Sequence, residues 1–84
     1  MYTVYVLKSL AQNYHYIGHT HHLQARLTAH NAGKVRSTKG YRPFEVIYTE
    51  PYPTRSAAQQ REYYLKSAPG NIWLRSHLTA QGTW

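Results

Sequence analysis

The stretch from Tyr14 to His30 obliges the chain to pass from strand to helix within a few residues. Tyr14-His-Tyr-Ile-Gly18 is aromatic and β-branched, and reads as a short strand ended by a glycine. Leu23-Gln-Ala-Arg-Leu-Thr-Ala-His30 has helical spacing. With Leu23 at zero on a helical wheel and about 100° per residue, Leu27 falls at about 40°, His30 at about −20° and Arg26 at about −60°. An arginine and a histidine therefore share the face of two leucines. Polar groups on an inward face are costly unless paired or used. A tyrosine-rich strand leading into such a helix marks a candidate site.

The other elements follow from local pattern. Tyr2 to Leu7 is a strand with Thr3, Tyr5 and Leu7 on one face and Tyr2, Val4 and Val6 on the other. The polar run Lys8 to Asn13 turns the chain into the Tyr14–Gly18 strand, with Tyr14, Tyr16 and Gly18 on a common face. An antiparallel hairpin then brings Tyr5 and Tyr16 to the same side. The first helix is expected to start near Thr20 to His22, with Thr20 as N-cap, and to run to Asn31, with Gly33 as its stop. Phe44 to Thr49 is a third strand, ended by Pro51 and Pro53. The second helix begins near Thr54 or Ser56, where Ser56 with Gln59 fits a capping box, runs to Lys66, and places Glu62 on the stripe of Ala58 and Leu65. Pro69-Gly70 breaks the run, Asn71 to Thr79 forms a last helix with Ile72, Leu74 and Leu78 as apolar positions, and Gln81 to Trp84 frays. The expected class is α+β: a three-stranded antiparallel sheet flanked by helices. At 84 residues it is expected to be one domain, 1–84.

Charge narrows the function. Ten Lys and Arg face three acids, Glu45, Glu50 and Glu62, with no Asp, for a formal charge of +7. That balance points to a polyanion, foremost a nucleic acid. The cations are scattered over loops and both candidate helices, which disfavours a membrane surface. A basic protein without such a partner is the bland alternative. No cysteine is present, so there is neither a disulfide framework nor a thiolate metal site. No apolar run approaches the roughly 20 residues needed to span a bilayer, and no basic segment precedes an apolar one at the N-terminus. A cytoplasmic location is expected. Three acids are too few for most paired-carboxylate or two-metal sites. A metal such as Mg²⁺ can still rest on one carboxylate plus water and substrate phosphate.

Taken singly, Arg26 reads as a solvated helix residue, His30 as a structural histidine and Glu62 as a partner for an internal arginine. Taken together with Tyr5 and Tyr16, they form a polar set that is expensive to place inward without use. His15, His19, His21 and His22 suggest a Zn²⁺ or Ni²⁺ site, but their spacing matches no standard pattern. In the basic run Lys34 to Arg42, Lys39, Arg36 and Lys34 are the expected nucleic-acid backbone contacts.

These residues, in this order, resemble the GIY-YIG nuclease superfamily, in particular its small stand-alone members. Thr3-Val-Tyr5 stands at the first motif and Tyr16-Ile-Gly18 is the second motif unchanged. The similarity runs on through Gly18-His-Thr20, Leu23 to Leu27, His30 to Gly33, Ser37-Thr-Lys39, Pro43 to Tyr48 and Arg61-Glu62 ahead of Leu65-Lys66. The resemblance implies metal-dependent hydrolysis of DNA phosphodiesters, in repair, recombination or DNA uptake. It implies that Tyr5 lies near the attacking water as general base, that Tyr16 supports the water or the phosphate, and that Arg26 holds the phosphate. His30 would assist proton transfer from Tyr5, and Glu62 would be the one protein ligand of Mg²⁺ or Mn²⁺. The first motif keeps only its tyrosine, and Asn71 stands near where many relatives carry an asparagine.

Two routes to an activated water follow. A free tyrosine has a pKa of about 10, and lowering it to 7 needs roughly 4 kcal/mol of differential stabilisation. Alternatively Tyr5 stays neutral and relays a proton to His30, whose ordinary pKa near 6.5 suits the task. The relay is the expected route. A non-catalytic nucleic-acid-binding module on the same fold is the alternative to a nuclease, and a basic protein–protein adaptor is a third reading.

Overall fold

The computed structural model describes residues 1–84. The elements in chain order are β1 (Tyr2–Ser9), β2 (His15–Thr20), α1 (Leu23–Asn31), β3 (Phe44–Tyr52), α2 (Arg55–Lys66) and α3 (Ala68–Ala80). The three strands form one antiparallel sheet in the order β2-β1-β3, so β1 is central and hydrogen-bonded on both sides. The architecture is α+β, as the patterning predicts.

Alternation along β1 divides the interior in two. Val4 and Val6 pack with Ile17 of β2 against Ala58, Leu65, Leu74 and Leu78 of α2 and α3. Tyr5 and Leu7 point the other way, join Phe44, and are covered by Leu23 and Leu27 of α1 with Tyr14, Tyr16, Tyr41 and Val46. The helices therefore sandwich the sheet, and each face of β1 is buried for its own reason: an aliphatic core on one side, an aromatic and polar one on the other. Helix α1 contributes a single fully buried residue, and it is His30. Asn31 ties the end of that helix to the sheet. Its amide accepts from the Phe44 N–H at 2.7 Å and donates to the Phe44 carbonyl at 3.2 Å, taking the place of a strand neighbour.

Several expected boundaries move. β2 begins at His15 and continues past Gly18 to Thr20, so Gly18 lies within the strand opposite Tyr5. Thr20 is the last residue of that strand and not the cap of α1: the N-cap is His22, without a side-chain cap bond. The α1 stop holds, with Gly33 following the helix at φ 77°. β3 runs through Pro51 to Tyr52, because an edge strand tolerates a residue without an N–H. Of the two expected starts of α2 the structure takes Thr54, whose hydroxyl accepts from Ala57 N–H at 3.2 Å; Ser56 lies inside the helix and forms no capping box.

The helical run does break, between Lys66 and Ala68, but α3 starts ahead of the expected Asn71 and takes Pro69-Gly70 into its first turn. Ser67 caps the helix, Pro69 stands in the first turn where its missing N–H costs nothing, and a β-carbon at Gly70 would lie 1.8 Å from the Tyr64 carbonyl oxygen. Ile72 is 67% exposed and belongs to no core; Leu74 and Leu78 carry that role. Trp84 does not fray: it stacks on His15 at 3.6 Å and covers the aliphatic core.

Candidate active site

The site is built where the hairpin of β1 and β2 meets α1. Tyr5 and Gly18 are opposite each other in the register, and two residues before Gly18 the ring of Tyr16 emerges on the same face. The Tyr5 and Tyr16 ring centroids are 6.2 Å apart. Gly18 supplies the space between them. A β-carbon there would fall 2.7 Å from the Tyr5 oxygen and 3.0 Å from Tyr16 Cε2.

His30 meets this pair from α1. It is fully buried, its Nε2 lies 3.2 Å from the Tyr5 hydroxyl, and its ring is 4.9 Å from that of Tyr16. On the far side His30 Nδ1 is 2.8 Å from Thr38 Oγ1, also fully buried, which in turn lies 3.3 Å from the Val35 carbonyl. Arg26, one helical turn before His30, differs from the expected inward placement. It is exposed as a residue, and its guanidinium lies close enough to Tyr5 and Tyr16 for their hydroxyls to raise its pKa. A cation beside two phenols, open to solvent, is placed to meet an anion arriving from outside.

The electrostatics favour a neutral phenol at Tyr5. Burial pushes its pKa up to about 12, with Tyr16 and Glu62 adding to the effect, and the Arg26 guanidinium only partly opposes it. Burial and the charge of Arg26 hold His30 below the ordinary 6.5, so its imidazole is neutral at pH 7.

Glu62 approaches from the other face of the sheet. It is nearly buried on α2, beside Ala58 and Leu65 as the periodicity predicts. One carboxylate oxygen pairs with His19 Nδ1 at 2.6 Å and the other with Lys66 Nζ at 2.6 Å. Lys66 Nζ reaches around the edge of β2 to lie 5.9 Å from the Tyr16 ring centroid. Glu62 thus adjoins the tyrosine–histidine cluster without a hydrogen bond to it. As a donor set, one carboxylate suits a hard cation that keeps much of its water and completes its shell from a phosphate. No three His, Asp or Glu side chains converge to hold a metal, so His15, His19, His21 and His22 form no such cluster.

A cleft of about 320 Å³ opens beside Tyr16, lined by Tyr14, His15, Ile17, Lys66 and Asn71. Asn71 therefore borders the same space as Tyr16 and Lys66. Lys34, Arg36 and Lys39 are all exposed and stand outside the cluster, on the segment behind His30. That segment is anchored: Tyr41 stacks on Tyr14 at 3.9 Å, its carbonyl accepts from Ser9 Oγ, and Thr38 is fixed on His30.

Sequence patterning singles out Tyr5, Tyr16, Arg26, His30 and Glu62, names His19 only as a candidate metal ligand, and gives Lys66 and Thr38 no role in the site. His19 was visible as the residue between Gly18 and Thr20, on the face opposite Tyr16. Lys66 was visible as the i+4 neighbour of Glu62. Thr38 carried no signal of its own, because its contact with His30 spans a loop.

Comparison with known proteins gives the family and the fold. The model of a family described as the GIY-YIG catalytic domain matches residues 1–73. The UPF0213 protein OB0043 of Oceanobacillus iheyensis is 40% identical over 67 residues, covering 79% of this chain and 77% of that one. The UPF0213 protein NP_0776A of Natronomonas pharaonis is 42% identical over 65 residues, covering 76% and 75%. The solution NMR structure of the UPF0213 protein BH0048 from Bacillus halodurans superimposes with a TM-score of 0.54 at 29% identity, over 89% of this chain and 82% of that one.

Proposed function

The chain belongs to the GIY-YIG family, a family of nuclease domains, and on that premise we propose that it is a divalent-metal-dependent endonuclease that hydrolyses DNA phosphodiester bonds. The observation that carries the reading is the buried Tyr5–His30 hydrogen bond beneath an exposed arginine, beside a nearly buried carboxylate. Such a set is costly to maintain for binding alone.

Each residue has a task in hydrolysis. Arg26 offers a forked, permanent positive charge to the non-bridging phosphate oxygens and to the charge that grows on them. Tyr5, held neutral, takes a proton from the attacking water as its own hydroxyl proton passes to His30 Nε2. The phosphorus–oxygen bond to the leaving 3′ oxygen breaks as the new one forms. Tyr16 borders the same space and orients the water or the phosphate. Glu62 would hold a Mg²⁺ or Mn²⁺ ion, which when bound supplies Lewis-acid stabilisation of the leaving oxygen. Lys34, Arg36 and Lys39 contact the DNA backbone.

A second reading, a non-catalytic nucleic-acid-binding module, draws on one observation: both oxygens of Glu62 are already paired, with His19 and Lys66. Incubation of the protein with labelled single-stranded, duplex and branched DNA in Mg²⁺ or Mn²⁺ separates the two. Cutting that disappears with EDTA and in Glu62→Gln supports the nuclease. Binding without cutting on every substrate favours the module.

A further inference from the structure

We propose that Thr38 is a positioning residue that fixes the tautomer of His30, leaving Nε2 unprotonated to receive the Tyr5 proton. The role rests on the nuclease reading above; the tautomer itself does not.

Two independent lines of hydrogen bonding lead to the same assignment. A threonine hydroxyl has one proton to donate and lone pairs to accept. Thr38 Oγ1 donates to the Val35 carbonyl at 3.3 Å, so towards His30, 2.8 Å away, it accepts. His30 Nδ1 must then carry the hydrogen, and Nε2 presents a lone pair. From the other end, the Tyr5 hydroxyl is 1% exposed as part of its residue and needs an acceptor for its proton. Arg26 beside it has only donors. His30 Nε2, at 3.2 Å, is the acceptor. The chain therefore runs Tyr5 O–H to Nε2, Nδ1–H to Thr38 Oγ1, and Thr38 O–H to the Val35 carbonyl. Tyr5, His30 and Thr38 are all buried, so bulk water does not compete for the two bonds to the imidazole.

The opposite tautomer would block the relay. With hydrogen on Nε2, His30 would donate to the Tyr5 oxygen and could not take its proton. In the assigned form the step balances. The water O–H bond breaks and its proton joins the Tyr5 oxygen, while the Tyr5 O–H bond breaks and its proton joins Nε2. The resulting hydroxide oxygen bonds to phosphorus as the 3′ oxygen leaves with its electron pair. The imidazolium so formed keeps its Nδ1–H bond to Thr38, which supports the new charge through the Val35 carbonyl dipole.

The test is read on the histidine before any substrate is added. Long-range nitrogen–proton NMR correlations of ¹⁵N-labelled protein above pH 7 report which ring nitrogen is protonated. The expected result is hydrogen on Nδ1 of His30 in the wild-type protein. In Thr38→Val the population shifts to hydrogen on Nε2 and DNA cleavage falls on the order of 10²-fold, the size of a general acid–base contribution. Thr38→Ser restores both. Hydrogen on Nε2 in the wild type overturns the proposal, and so does a Thr38→Val protein that cuts at the wild-type rate. Should Thr38→Val fail to fold, the wild-type and Thr38→Ser spectra decide the assignment. A wild-type protein that has the Nδ1–H form but cuts no DNA overturns the nuclease reading and the role in catalysis, and leaves the tautomer assignment standing.

Discussion

The phenol of Tyr5 lies across Gly18, its partner on the neighbouring strand, so closely that a methyl group there would sit 2.7 Å from the phenolic oxygen. Gly18 is in an ordinary strand, so what it contributes is room. Tyr5 is enclosed and cannot swing away. Gly18→Ala is expected to displace the phenol and cost about 1–3 kcal/mol, the usual range for overpacking. Cleavage should fall at least tenfold, more than the loss of folded protein explains. Urea denaturation beside a single-turnover assay separates the two effects.

A phenol with a pKa pushed up to about 12 does not act as a phenolate near neutrality. The rate is therefore expected to rise with pH as His30 loses its proton, at a midpoint below 6.5, and then to stay level to at least pH 9. Tyr5→Phe should lose about 10²–10⁴-fold. A second rise near pH 10 would instead point to the phenolate route.

Acid should unfold the protein through Glu50. Burial alone would raise its pKa, but hydrogen bonds from Arg61, Tyr48 and Tyr52 outweigh it and hold the carboxyl below 4.5. A folded pKa below the unfolded one gives stability that is present above about pH 4.5 and is lost as pH falls through the folded value. The lowered pKa of His30 and of His15 has the same sign, beginning below 6.5. Thermal unfolding between pH 3 and pH 8 should show both descents, and Glu50→Gln should flatten only the lower one.

Lys39 stands exposed on the anchored segment behind His30. Its replacement by alanine is expected to weaken DNA binding equally on unrelated sequences and to reduce the slope of log affinity against log salt by about one. Titrations at several salt concentrations on two sequences check this. An effect confined to one sequence would assign Lys39 to base contacts.

Much of the fold was legible because periodicity and burial agree. The alternation of β1 separates Tyr5 and Leu7 from Val4 and Val6, and the structure buries the two sets on opposite faces. The same reasoning placed Glu62 beside Ala58 and Leu65. Boundaries were less legible where a tertiary neighbour decides them. Pro69-Gly70 reads as a break in isolation, but Ser67 caps a helix there and Gly70 lets α3 approach the Tyr64 carbonyl. Arg26 shows the limit of the helical wheel, which gives the direction of a Cα–Cβ bond and not the reach of a long side chain. Thr38 shows the limit of sequence spacing: it is eight residues from His30 with no repeating pattern between them.

Because His30 is the one residue of α1 that is fully buried, with Leu23 and Leu27 only partly so, while Tyr5 belongs to the strand hydrogen-bonded on both sides, the two halves of one hydrogen bond sit on backbones of unequal endurance. The short helix can peel from the sheet at a cost well below that of melting the strands. Warming would then silence the protein while its sheet still resists deuterium exchange, and cooling would restore it without the sheet having to refold.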